Sequence, residues 1–269
     1  MLDTTALPTG VKPRVCEYLE LLKREDAGFV QGVYLVGSIA LGDYQEGRSD
    51  IDFVALVANP LSAPQIESLA RIHAAIAASE GPHFDGFYIG QAELRRVPAP
   101  KRAPFSRDGT FRSDAVCFEI NPVTWLCLAQ HGITVRGRPA QALAIATDPA
   151  SLQSFETDNL RTYWEPWIEE GSRTLARKAP GEDADATVLA WGVLGLLRIA
   201  YTLTTGRIIS KAEAGRWALT KYRLDWHPVI QDALSARFGH VNRLPVFRCR
   251  CAVEFMRYVI ADALAAASR

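Results

Sequence analysis

Two aspartates separated by one residue, Asp50 and Asp52, stand at the start of an apolar run that reads as a buried strand. Side chains at positions i and i+2 of a strand point to the same face. Two carboxylates side by side repel each other, and this repulsion raises the pKa of one of them. A divalent cation relieves the repulsion, and Mg²⁺ prefers carboxylate, phosphate and water oxygens. The pair therefore predicts a magnesium site, with a turn and a strand-edge position as the plain alternative.

A glycine-serine pair lies upstream, where Gly37 and Ser38 separate a strand from a short helix. Glycine lets backbone N–H groups approach an anion closely, and the N-terminus of a helix favours negative charge. We expect Ser38 to cap this helix and the corner to bind phosphate. With Gly42 and Ser49 the sequence reads G-S-x-x-x-G-x(6)-S-D-x-D. This pattern resembles the signature of the nucleotidyltransferase superfamily and predicts a nucleotide site at Gly37, Ser38 and Ser49.

A third carboxylate is expected from a later strand of the same sheet. Asp85, in the segment HFDGFYI, is the candidate, with a turn residue at the start of that strand as the alternative. In nucleotide transfer, one metal ion lowers the pKa of the attacking hydroxyl and another neutralises the leaving pyrophosphate. Asp85 would be a metal ligand, the general base, or both.

The hydrophobic pattern changes near residue 150. Before it, strands are predicted at 30–37, 51–58 and 83–90, with helices at 11–28, 38–44, 60–79 and 122–131. The segment 91–115, rich in arginine and proline, reads as loop. After it, strand signals end and helices are predicted at 151–177, 186–206, 211–221, 227–238 and 245–267. We therefore expect an α/β catalytic domain with a mixed sheet over 1–150 and an all-α helical bundle that binds the substrate over 151–269.

The composition bears on the partners and the cellular location of the protein. Lysine plus arginine equals aspartate plus glutamate at 30 each, so no overall field attracts nucleic acid or a membrane. The five cysteines lack the paired spacing of a zinc site. The N-terminus has no basic start followed by an apolar core, and no apolar run reaches the roughly 18 residues needed to span a bilayer. We expect a monomeric cytoplasmic protein.

The second half carries a further resemblance. Its segment Thr205–Lys211 has the form T-G-x-I-x-x-K, and together with 119–137 and 225–234 it is similar to the aminoglycoside adenylyltransferases that modify streptomycin and spectinomycin. The resemblance spans residues 30 to 260. It implies transfer of AMP from Mg-ATP to a hydroxyl of an aminoglycoside or aminocyclitol. It also implies Mg²⁺ binding by Asp50 and Asp52, a catalytic role for Asp85 in place of the family's glutamate, and contact of Lys211 with the ATP phosphates.

The binding site for such a polycation should be locally acidic. Streptomycin-modifying members have acidic drug contacts in the helix ahead of the arginine that is Arg198 here, but this chain is apolar there. Candidate substrate contacts are therefore placed earlier, at Trp164, Glu165, Asp183 and Asp185. A solvated helix face with buried tryptophans is the alternative. Three other tryptophans are expected in the core: Trp125, Trp191 and Trp217.

Two other functions fit the same residues. One is nucleotide transfer to another acceptor, either a protein side chain or another small molecule. The other is a non-catalytic binding module of the antitoxin type, which the combination of Asp50, Asp52 and Asp85 disfavours because a pure binder gains nothing from their repulsion. The sequence does not specify the antibiotic, the modified hydroxyl, or the preference for ATP over other nucleotides.

Overall fold

A computed structural model describes residues 7–58, 60–179 and 181–267. Part of the N-terminal segment on which the absence of a signal peptide was judged, residues 1–6, lies outside the described residues. The chain divides into two compact units, Met1–Asp148 and Pro149–Arg269. The first unit contains a mixed sheet with helices and the second is predominantly helical, which confirms the predicted fold class.

The first unit is built on a six-stranded sheet with the order β6-β5-β3-β2-β1-β8, in which β5 is Phe105–Arg107 and β6 is Thr110–Arg112. Its long strands are β1 (Val30–Leu35), β2 (Ile51–Val57) and β3 (Phe84–Gly90), and its short edge strand is β8 (Ile133–Arg136). The helices are α1 (Val11–Arg24), α2 (Gly37–Ala40), α3 (Ala63–Ala78) and α4 (Pro122–His131). Strands β2 and β3 are parallel, whereas the other pairs in this sheet are antiparallel. The three long predicted strands are confirmed.

The prediction of loop over 91–115 is wrong. This segment contains β4 (Lys101–Arg102), β5 (Phe105–Arg107) and β6 (Thr110–Arg112), and β7 (Val116–Cys117) follows it. Strands β5 and β6 form a hairpin that extends the main sheet beside β3, while β4 pairs with β7. Strands of two or three residues are too short to show the alternating pattern on which strand prediction depends.

The two faces of β3 are covered differently. Phe84 and Tyr88 point toward α1, where the ring of Tyr18 lies 4.6 Å from that of Phe84 and its hydroxyl lies 2.7 Å from that of Tyr88. Phe87 points to the opposite face and stacks on Trp125 of α4, with ring centroids 6.0 Å apart. Because side chains alternate along a strand, Asp85 shares the face of Phe87. The buried Trp125 confirms its predicted core position.

The second unit is a set of helices around one apolar core. Its helices are α5 (Pro149–Asn159), α6 (Glu165–Ala176), α7 (Ala186–Thr205), α8 (Lys211–Lys221), α9 (His227–Arg237) and α10 (Val246–Ala267). A π-helical turn, Leu160–Trp164, joins α5 to α6. The prediction that strands end near residue 150 needs one correction, because β9 (Asp183–Asp185) pairs with β10 (Arg243–Pro245) in a short antiparallel ribbon.

Helix α7 is the one helix in the described part of the chain whose length and composition alone would allow it to cross a membrane. It has 20 residues, and its most apolar window has a mean hydropathy of 1.6. Glycine, threonine and Arg198 interrupt the apolar run of this helix. In this window, 61% of the residues are buried inside the protein, and many of them belong to the core of the second unit. The helix therefore reads as the central helix of that core.

Candidate active site

The parallel pairing of β2 and β3 places two of the predicted carboxylates side by side. Asp52 is the pairing partner of Asp85, and each is the second residue of its strand. Paired residues on neighbouring strands project to the same face of the sheet. Strand register therefore brings together Asp52 and Asp85, which are far apart in the sequence.

Asp50 occupies a different position from the one predicted. It precedes β2 and is exposed, so the rule that i and i+2 share a strand face does not apply to Asp50 and Asp52. Asp50 nevertheless lies close enough to act electrostatically on Asp85, because its negative charge contributes to the raised pKa of that carboxyl.

The carboxyl group of Asp85 is held by one backbone donor. Its Oδ2 accepts a hydrogen bond of 2.9 Å from the N–H of Asp108, while Oδ1 is buried and has no hydrogen-bond partner among the described residues. Burial is the main cause that raises the pKa of Asp85 to about 6, and the charge of Asp50 adds to this effect. The Asp108 N–H lowers the pKa in part. Asp85 is thus mostly ionised near neutral pH and poised to accept a proton.

Asp108 is a functional residue that the sequence reading missed. It precedes Gly109 in the two-residue turn between β5 and β6, and both residues have positive φ, 52° and 70°. Asp-Gly is a favoured pair for a hairpin turn in which both central residues need positive φ. The dipeptide was a usable turn signal within the segment predicted as loop.

Gly37 connects the glycine-serine corner to the carboxylates directly. Its φ is +61°, and a Cβ added at this position would lie 1.9 Å from Oδ2 of Asp52. The N–H of Val36 also donates a hydrogen bond of 2.9 Å to the carbonyl of Asp52. Only glycine fits this backbone conformation beside the carboxylate without strain. The close approach gives a physical reason for the spacing of the two halves of the sequence pattern.

Two details of the predicted corner are corrected. Helix α2 begins at Gly37 with Val36 in the N-cap position, so Ser38 is not the cap, and the helix is a single turn. The hydroxyl of Ser49 accepts a hydrogen bond of 3.1 Å from the N–H of Gln45, while the Ser49 N–H donates to the Gln45 carbonyl at 2.9 Å. Ser49 is nearly buried, so its side chain closes the loop before β2.

The donors at this site suit magnesium better than a soft metal. Asp50, Asp52 and Asp85 supply carboxylate oxygens only, and the buried Oδ1 of Asp85 has no donor among the described residues. Within the described part of the chain, no three histidine, cysteine, aspartate or glutamate side chains are gathered closely enough to hold a metal by themselves. The three predicted ligands therefore do not form such a group by themselves. Mg²⁺ needs only one or two carboxylates when phosphate and water complete its shell.

Lys211 lies where the sequence predicted, at the first position of α8. Helix α7 ends at Gly206 with φ of 68°, and Ser210 caps α8 by accepting a hydrogen bond from the N–H of Glu213. The Glu213 carboxylate in turn accepts from the N–H of Ser210 at 2.9 Å. Both predicted helix boundaries are confirmed, and they fix the backbone at Lys211.

Two tryptophans of the second unit have the opposite burial from the one predicted. Trp164, predicted to contact substrate, is 5% exposed, whereas Trp191, predicted in the core, is 38% exposed. A Cβ at Gly195 of α7 would lie 2.9 Å from the Trp164 ring, so the glycine creates the room in which that ring is buried. Burial argues against direct contact of Trp164 with a substrate. Trp217 is partly buried against the core of this unit.

The acidic residues predicted to contact substrate are exposed but differ in what they do. Glu165 begins α6. Asp183 and Asp185 lie on β9, and Asp185 caps α7 by accepting a hydrogen bond of 2.7 Å from the N–H of Thr187. The cap engages the side chain of Asp185 in holding the helix start, which leaves Asp183 and Glu165 as the freer surface acids of the predicted set.

Two family models match the chain. Residues 15–92 match the nucleotidyltransferase domain, and residues 177–262 match the C-terminal domain of aminoglycoside adenylyltransferases. The first match contains the corner at Gly37 together with Asp50, Asp52 and Asp85. The second contains Lys211.

Relatives and a known structure agree with these matches. The chain is 25% identical over 269 residues to aminoglycoside (3'') (9) adenylyltransferases of Klebsiella pneumoniae and of Shigella flexneri, with 94% of this chain and 95% of each relative covered. The crystal structure of the spectinomycin adenyltransferase AAD(9) from Enterococcus faecialis with ATP and spectinomycin has the same fold, with a TM-score of 0.68. That match is 16% identical and covers 93% of this chain and 98% of the other. Together these matches support an aminoglycoside nucleotidyltransferase.

Proposed function

We propose that this protein transfers AMP from ATP to a hydroxyl of an aminoglycoside or aminocyclitol, and that the transfer inactivates the antibiotic. The observation that carries this proposal is the pairing of Asp52 with Asp85 beside Gly37. The relatives named for action on aminoglycosides, and the neighbour with ATP and spectinomycin, support the acceptor class and the nucleotide. Spectinomycin and streptomycin are both candidate acceptors within the proposal.

The carboxylates of the chain would have different roles in the reaction. Asp50 and Asp52 would hold Mg²⁺, and bound there the ion would neutralise charge on the phosphates and on the leaving pyrophosphate. The acceptor oxygen forms a bond to the α-phosphorus of ATP as the bond to pyrophosphate breaks. Oδ1 of Asp85, which has no partner among the described residues, would take the hydroxyl proton. The Asp108 N–H on Oδ2 would keep the carboxylate oriented.

Further parts of the proposal concern nucleotide binding, cellular location and oligomeric state. Backbone N–H groups at Gly37 and Ser38 would bind phosphate, and Lys211 would add a positive charge to it. Ser49 would act by closing the loop that carries Asp50, given its hydrogen bond with Gln45. An ATP-dependent enzyme of this kind would work in the cytoplasm, and a monomer would suffice for the chemistry described.

Pyrophosphate release from Mg-ATP, measured with a panel of aminoglycosides and aminocyclitols, tests the function. We expect release that depends on both the drug and ATP, and loss of the chemical step in Asp85→Asn with nearly normal Mg-ATP binding. Release only with a protein acceptor or another small molecule would favour the second candidate function. Absence of release with every acceptor, despite ATP binding, would favour a binding module.

Lys211→Ala tests the nucleotide contact. We expect ATP affinity to fall by about tenfold, because a charge-assisted hydrogen bond to phosphate is lost. Lys221→Ala is the matched control in the same helix, since Lys221 pairs with Asp262 at 3.5 Å and an exposed pair contributes little. Calorimetric titration that gives equal ATP affinities for wild type and Lys211→Ala would reduce Lys211 to a surface residue.

A further inference from the structure

The second unit buries a carboxylate that no described group neutralises directly. Glu156 of α5 is 4% exposed, and among the described residues its carboxylate takes part in no hydrogen bond and no ion pair. Burial is the main cause that raises its pKa to about 7. A buried charge without partners is costly, so such a side chain is rarely kept for packing alone.

Asn159 adds a second acceptor one turn along the same helix. Its Oδ1 is buried and has no hydrogen-bond partner among the described residues. Residues three apart on a helix lie on the same face, so the two side chains are neighbours. The π-helical turn Leu160–Trp164 begins immediately after Asn159, and such turns recur at functional sites.

The positive group shown to act on Glu156 is Arg198 of α7. Its charge lowers the pKa of Glu156, but less than burial raises it, and the described structure contains no ion pair between the two side chains. Arg198 alone therefore does not provide the hydrogen bonds that two unpartnered acceptors require.

Two partly exposed aromatic rings lie on the neighbouring turns of the same segments. Trp191 lies two turns before Arg198 on α7, and Tyr163 lies about one turn after Asn159; their ring centroids are 6.2 Å apart. Tyr163 is 49% exposed and Trp191 is 38% exposed. Aromatic faces attract cations, so these two rings favour the same ligand charge as the Glu156 carboxylate.

We propose that Glu156 and Asn159 form a binding site for an ammonium group of the cationic acceptor, with Tyr163 and Trp191 contacting the rest of that molecule. This site rests on the proposed function, which supplies an amine-bearing acceptor. An ammonium group has N–H donors for both acceptors and a charge for the carboxylate, whereas a phosphate would be repelled. The site would make Glu156 a determinant of acceptor specificity.

Glu156→Gln tests the site, because glutamine keeps the shape and removes the charge. We expect the KM for an aminocyclitol to rise by about 30-fold, because removal of a hydrogen bond to a charged group lowers affinity by about this factor. The KM for ATP should stay unchanged. Asn159→Ala should raise the acceptor KM by about fivefold through loss of a neutral hydrogen bond. Glu254→Gln is the matched control, because Glu254 is exposed and pairs with Arg257 on the same helix.

Acetylation of the acceptor's amines provides the second arm of the experiment. Wild type should lose affinity for the acetylated aminocyclitol, and Glu156→Gln should lose much less, because the two changes remove the same interaction. Urea midpoints of the variants equal to or above that of wild type would show that the fold is intact.

Several outcomes would overturn this site. Equal acceptor affinities in wild type and Glu156→Gln would do so, as would a rise in the ATP KM alone, which would assign Glu156 to nucleotide binding. Calorimetric titration with the unmodified aminocyclitol distinguishes failure of this site from failure of the proposed function. Amine binding that weakens in Glu156→Gln without any AMP transfer would retain the site and reject the function, whereas AMP transfer without an effect of Glu156→Gln would do the reverse.

Discussion

The carboxylate of Asp85 in the first unit and that of Glu156 in the second are held in opposite ways. Asp85 is fixed by the backbone: strand register sets it beside Asp52, and the Asp108 N–H donates to it. Glu156 is surrounded by side chains of packed helices, and no described backbone group donates to it. The pKa of each is raised mainly by burial, to about 6 and about 7.

The two arrangements suit different tasks, namely catalysis in the first unit and substrate recognition in the second. Backbone geometry depends on a few residues, such as a glycine at a positive φ, and tolerates change elsewhere. Packing between helices depends on side-chain volume, so one substitution can reshape a surface without moving the backbone far. The first arrangement suits chemistry that must stay constant, and the second suits recognition that must adapt.

The largest effect is expected for Asp52→Asn. Turnover should fall by about three orders of magnitude because a carboxylate of the metal site is lost. The free energy of unfolding should not fall, since the change removes a repulsion between neighbouring carboxylates. Asp114→Asn, at an exposed position of the same unit, is the control. Normal turnover of Asp52→Asn at saturating magnesium would refute the assignment.

Gly37→Ala tests whether the backbone fixes the site. The added Cβ would collide with Asp52 and oppose the positive φ, so we expect stability to fall by about 2–3 kcal/mol and most activity to be lost. Gly42→Ala has a similar φ of +65° but open space around the Cβ, so it should cost about 1 kcal/mol and spare activity. Equal effects of both changes on activity would show that crowding of Asp52 is unimportant.

The pH dependence of Asp85→Asn sharpens the comparison. The folded-state pKa of Asp85 is about 6, above the ordinary value of an aspartate. Folded protein therefore binds more protons than unfolded protein between pH 4 and pH 6, and Asp85 becomes increasingly destabilising across this range. We expect Asp85→Asn to be more stable than wild type by about 1 kcal/mol at pH 7, allowing for solvent screening, and equal to it below pH 4. Urea unfolding of both proteins between pH 4 and pH 7 measures this difference in stability. A wild type that becomes more stable than Asp85→Asn as the pH rises would contradict the prediction.

The smallest effects are expected from glycines of the second unit. Gly171→Ala in α6 has open space around its Cβ and should stabilise the protein by about 0.5–1 kcal/mol. Gly195→Ala gains the same helix propensity but meets the Trp164 ring at 2.9 Å, so we expect no net gain. A matching gain in both variants would show that the Trp164 ring yields easily and that packing constrains this unit less than we infer.

The sequence predicted the parts of the fold that local patterns encode. The helical periodicity locates the long helices, some of which also have a capping residue, such as Ser210 of α8. The glycine-serine and aspartate spacing locates β1 and β2. The opposite burial of Trp164 and Trp191 could not be predicted, because burial of Trp164 depends on Gly195 from another helix. Asp50 does not share the strand face of Asp52, because β2 begins at Ile51, where it was predicted, and Asp50 precedes it. The hairpin that carries Asp108 was detectable only by its Asp-Gly turn.

The parallel pairing of β2 and β3 has a consequence for synthesis of the chain. Parallel strands require a crossover, here through α3, and β3 therefore emerges from the ribosome only after that helix. Asp52 is translated well before its partner Asp85, and the turn that orients Asp85 comes later still. Because non-local strand pairing must await closure of the intervening chain, we expect the carboxylate pair to form late in folding. A nascent chain would thus remain inactive toward ATP until its sheet is nearly complete.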